Sequence, residues 1–128
     1  MEVNIERLDH VAIQVRDLER SLGFYMGTLG LRLQERTEVP ERRLKKALLA
    51  VGLGRIELIE YENRPIPTAD GPVAHIALEV QDIEEALAEL SKEGVSLEDQ
   101  KPREIGGDMK IAFLRGPDQE LIELVEKP

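Results

Sequence analysis

Two eight-residue stretches limit what this chain can fold into. They are Leu8-Asp9-His10-Val11-Ala12-Ile13-Gln14-Val15 and, 65 residues on, Val73-Ala74-His75-Ile76-Ala77-Leu78-Glu79-Val80. Each alternates apolar and other residues as a strand with one buried face does. Val11, Ile13 and Val15 share one face, so His10, Ala12 and Gln14 share the other. In the second stretch Ile76, Leu78 and Val80 oppose His75, Ala77 and Glu79. The same parity twice puts the two histidines at equivalent places in two copies of one structural unit.

The rest of the sequence repeats in the same order. After the first strand, Asp17 offers a helix N-cap, Leu18, Leu22, Tyr25, Met26 and Leu29 recur at helical spacing, and Gly30 stops the helix. Strands are predicted over 31–39, 44–51 and 55–61, with Gly52 and Gly54 marking a tight turn. Residues 63–72, with three prolines and a glycine, read as a linker. A strand over 73–80 follows. Asp82 with Glu85 makes a capping-box-like start for a helix whose Ile83, Ala86, Leu87 and Leu90 line one face. Gly94 ends it. Then come a short strand over 95–98, a loop over 101–108, a strand over 109–115, a Gly-Pro-Asp turn and a last strand over 120–126. The unit is β-α-β-β-β, written twice, at 5–62 and 73–128. The expected fold is α+β: one domain in which two such units pair as a curved, cleft-forming, antiparallel-type sheet.

The closing strands carry a second matched pair. Ile56-Glu57-Leu58 recurs as Ile122-Glu123-Leu124, 66 residues later. With the apolar residues inward, Glu57 and Glu123 lie on the face away from the helix, as His10 and His75 do. Two imidazoles and two carboxylates suit a divalent first-row metal with positions left for water or substrate. A lone strand histidine is more often structural; the repeated parity is what raises these four to a candidate site.

At these residues the chain resembles the vicinal oxygen chelate superfamily, which includes glyoxalase I, methylmalonyl-CoA epimerase, extradiol dioxygenases and bleomycin-binding proteins. The resemblance implies that His10, Glu57, His75 and Glu123 are metal ligands, with cobalt, nickel, zinc or manganese as candidate ions. Glu38-Val39-Pro40-Glu41, Ile56-Glu57-Leu58-Ile59-Glu60 and Lys110-Ile111-Ala112-Phe113-Leu114 look most like the epimerase. The short link between the units and Ala74 before His75 depart from the epimerase pattern, and the compact Gly116-Pro117-Asp118-Gln119 turn looks more like glyoxalase-type or uncharacterised members. The implied activity is proton transfer next to a carbonyl or thioester through an enediolate, with Glu57 and Glu123 as catalytic carboxylates. Methylmalonyl-CoA epimerase is the first expectation and a glyoxalase I (lactoylglutathione lyase) the alternative. A metal-free small-molecule binder of the bleomycin-resistance kind fits less well, since such members lack the ligands present here.

Composition sets the partners. The net charge of −9 over 128 residues argues against nucleic acid. No apolar run reaches the roughly 20 residues of a membrane span, and Glu2 and Glu6 interrupt any leader. With no cysteine there is no disulfide or thiolate chemistry. The expected protein is cytoplasmic and homodimeric and acts on a small molecule. An acyl-CoA is among the candidates because Arg42, Arg43, Lys45 and Lys46 form a local basic patch. The plainer reading of that patch is a charged, aggregation-resistant strand edge.

Overall fold

The structure, a computed structural model, describes residue 4 and residues 7–66 and 75–128. The expectations for 67–72 of the linker and for Val73 and Ala74 lie outside these residues. The chain divides into two compact units, Met1–Ile66 and Pro67–Pro128.

In the first unit, strand β1 (Val11–Gln14) leads into helix α1 (Leu18–Leu22), which continues as a π-helix over Gly23–Thr28. Strands β2 (Arg32–Val39), β3 (Leu44–Val51) and β4 (Gly54–Tyr61) follow as a meander. The sheet order is β1-β4-β3-β2. β2, β3 and β4 pair antiparallel, while β1 lies parallel to β4. The sheet is therefore mixed, because the helical crossover returns the chain before the meander closes on β1. The predicted Gly30 stop holds at a φ of 78°, a backbone that glycine adopts without steric cost.

The core of this unit lies between the helix and one sheet face. Leu18, Leu22 and Tyr25 meet Ala47, Leu49, Ile56 and Leu58, all buried. Asp17 caps α1 by accepting from Arg20 N at 3.1 Å. The first helical amide, Leu18 N, donates to Glu60 at 2.7 Å.

The second unit repeats the plan with one break. Strand β5 (Ile76–Glu79), helix α2 (Ile83–Lys92), β6 (Ser96–Leu97), β7 (Arg103–Ile105), β8 (Met109–Arg115) and β9 (Leu121–Glu126) follow in order. β5 runs parallel to β9, β9 antiparallel to β8, and β6 and β7 share the far edge of β8. Residues 101–108, expected as a loop, contain β7. Gly106 and Gly107, at φ of 49° and 84°, turn the chain so that Ile105 pairs with Met109. Asp82 accepts from Glu85 N at 3.0 Å, as the capping pattern requires. Ile83 N donates to Glu126 at 2.9 Å, as Leu18 does to Glu60. Ile83, Leu87 and Leu90 pack on Ala112, Leu114, Ile122 and Leu124.

Candidate metal centre

Each closing strand presents carboxylates on both faces. Glu60 and Glu126 cap the helices on the core side. Three residues earlier, Glu57 and Glu123 point the other way. Register confirms their neighbours: Ala12 lies opposite Glu57, and Ala77 opposite Glu123. A methyl side chain at those points leaves room above the carboxylate. The histidine two residues before each alanine shares that face.

In the first unit His10 Nε2 lies 3.8 Å from Glu57 Oε1. In the second, His75 Nε2 lies 3.2 Å from Glu123 Oε1. The imidazoles are each 37% exposed and the carboxylates 15% and 16%. These four values match within each residue type, so the repeat extends to the exposure of the site residues. A metal ion held at ~2.0–2.2 Å by both donors would bring nitrogen and oxygen to roughly 3 Å of each other. The second pair already has that spacing, and the first needs a side-chain shift of under about 1 Å. Neutral imidazole nitrogen with carboxylate oxygen suits a divalent ion of intermediate softness. Among the described residues no group of three or more His, Cys, Asp or Glu is placed to hold a metal ion; each pair contributes two donors.

The two pairs differ in what surrounds them. Asp9 Oδ2 accepts from His10 Nδ1 at 2.7 Å. That bond leaves Nε2 as the free nitrogen, which is how outer carboxylates orient metal-binding histidines. Arg55 holds Asp9 in turn, donating from Nε to its carbonyl at 3.2 Å and from Nη2 to its carboxylate. The hydrogen bond from His10, and then the charge of Arg55, hold the Asp9 carboxyl below its ordinary 3.8. On the other side of Glu57, Lys46 Nζ stands 3.8 Å from Oε2.

His75 has a different neighbourhood. Its ring meets Phe113 edge-on at 5.5 Å, and the Arg103 guanidinium lies 5.6 Å above Phe113. Phe113 is the cross-strand partner of Glu123. Its amide donates to Asp99 at 2.9 Å. A shallow cavity of about 290 Å³ opens here, lined by Glu98, Asp99, Arg103, Phe113, Arg115 and Leu121.

The four residues singled out in the sequence thus form two His–Glu pairs. Asp9, Arg55 and Phe113 were missed. The contrast of Asp9-His10 with Ala74-His75 was the available signal for the first. The basic patch is corrected. Lys45 pairs with Glu60, which caps α1, so it lies on the helix side of the sheet. Lys46 alone of the two faces Glu57. Arg43 sits at a turn with φ of 54°, beside Glu38, Glu60 and Glu62.

Comparison with known proteins places the fold in a family. Human mitochondrial methylmalonyl-CoA epimerase is 33% identical over 99 residues, covering 72% of this chain and 56% of that protein. The lactoylglutathione lyase of Salmonella typhimurium is 34% identical over 124 residues, covering 94% and 92%. Among solved structures, the trypanothione-dependent glyoxalase I of Leishmania major superposes with a TM-score of 0.80 at 28% identity, over 95% of this chain and 87% of that one. Residues 7–124 match the family profile as well, and the chain belongs to the Glyoxalase/Bleomycin resistance protein/Dioxygenase superfamily.

Proposed function

We propose that this protein is a metal-dependent enzyme that moves a proton next to a carbonyl or thioester through an enediolate. His10, Glu57, His75 and Glu123 are its metal ligands. The observation that carries the reading is the His–Glu pair, present in both units with matched exposure on the sheet face away from the helix. A bound divalent ion supplies Lewis-acid stabilisation of the oxygen that gains charge as the proton leaves. The chain's own residues do the rest. Asp9 fixes the His10 tautomer, and a glutamate carries the proton.

Methylmalonyl-CoA epimerase is the first substrate reading, supported by the 33% identity to the human enzyme. A glyoxalase I reading has its own support, since lactoylglutathione lyases align along nearly the whole chain. The protein works in the cytoplasm as a homodimer on a small molecule. Among the described residues no helix is long and apolar enough to cross a membrane.

The test is solvent deuterium exchange at the reacting carbon, measured with cobalt-loaded protein on methylmalonyl-CoA and on the hemithioacetal of methylglyoxal. Exchange on one of them identifies the substrate, and Glu123→Gln should abolish it. Absence of exchange on both, with metal bound, overturns the reading.

A further inference from the structure

We infer that Lys46 is the specificity-determining residue of this site, and that its ammonium receives a carboxylate that the substrate carries beside the carbon losing the proton. The inference rests on the proton-transfer reading above and narrows its substrate class.

Register places Lys46 on the ligand face. Leu48 lies opposite Glu57 and Lys46 opposite Ile59, so Lys46 is the diagonal neighbour of the ligand carboxylate. The two Glu57 oxygens are divided. Oε1 faces the His10 Nε2 side, and Oε2 faces the Lys46 ammonium. The 3.8 Å separation lies outside hydrogen-bonding range. The charge is therefore near the ligand, and among the described residues no hydrogen bond takes its three N–H donors. The side chain is 36% exposed, which leaves it open to an incoming group.

The second unit shows that a ligand glutamate does not need this lysine. Phe113 lies opposite Glu123, so the place of Lys46 falls to Ile111, opposite Val125 and buried. Glu123 keeps its pairing with His75, and among the described residues no lysine pairs with it. A charge supplied to one pair only has a use other than holding a ligand. The whole chain carries −9, which repels anions at a distance. A carboxylated substrate must then be recognised locally, by a compact cation next to the reacting centre. A malonyl-type thioester has its carboxylate on that carbon; a simple hemithioacetal has none there.

The probe is malonate, titrated by calorimetry into cobalt-loaded wild type, Lys46→Met and Lys46→Arg. Lys46→Met should weaken malonate tenfold or more and remove most of the salt dependence. Lys46→Arg should stay within threefold of wild type, and all three proteins should hold equal cobalt. Equal malonate affinity in Lys46→Met overturns the inference. So does a Lys46→Arg as weak as Lys46→Met, which would mean shape rather than charge, or loss of cobalt from Lys46→Met, which would mean the lysine serves Glu57. Failure of the proton-transfer reading would be seen separately, as wild type without deuterium exchange on either substrate.

Discussion

Replacing Asp9 by alanine should weaken metal binding by one to two orders of magnitude. Asp9 touches no metal in this scheme; its effect passes through His10. The 2.7 Å bond to Nδ1 fixes which imidazole nitrogen carries the proton, and turns Nε2 toward Glu57. Arg55 grips Asp9 by both carbonyl and carboxylate, so the acceptor is itself held in place. The carboxyl is held below its usual range by His10 and then Arg55, so it is ionised throughout the neutral range. Losing an outer-shell partner of this kind costs about 10- to 100-fold in metal affinity. Asp9→Asn keeps an acceptor oxygen and loses only the charge, so it should fall near tenfold. Competition against a chelating dye at pH 7, with cobalt as the ion, reads both variants. Binding by Asp9→Ala within twofold of wild type would refute the orienting role. A weaker Asp9→Asn than Asp9→Ala would do the same.

Other outcomes follow from particular residues. His10→Ala and His75→Ala should each lower bound cobalt while the circular dichroism spectrum stays unchanged, because both imidazoles are partly exposed and face away from the helices. Leu58 of β4 is fully buried on the core face of the sheet, so Leu58→Ala should cost about 2–5 kcal/mol in urea unfolding. The Arg36 hydrogen bond, then its charge, lowers the Glu19 carboxyl from its ordinary 4.5. A depressed carboxylate stabilises the fold above its unfolded value and stops doing so as pH falls through its folded one. Wild type should thus melt above Glu19→Gln at pH 7, with the gap closing as pH falls below the ordinary carboxylate range; a constant gap on acidification would assign the effect to packing.

Much of the fold was legible because its signals are local. Period-two alternation located β1, β3, β4, β8 and β9, and Asp17 and Asp82 mark where the helices begin. Strand parity alone put Glu57 on the histidine side, and register agrees. What the sequence hid was non-local. The parallel pairing of β1 with β4 depends on how a meander closes, which periodicity does not encode. β7 is three residues long and exposed, and its pairing depends on the turn at Gly106 and Gly107. Lys45 and Lys46 are adjacent in sequence, yet a strand sends them to opposite faces, so one run of positive charge serves two surfaces. No local signal marks Glu60 and Glu126 as acceptors for helix amides 42 and 43 residues away.

The most direct test of the proposed ligand set is X-ray absorption at the cobalt edge of the reconstituted protein, at one ion per chain. Two imidazole nitrogens and two carboxylate oxygens in the first shell, falling to one imidazole in His75→Ala, is the predicted result. A first shell with fewer than two imidazoles in wild type, or one unchanged by His75→Ala, would contradict it.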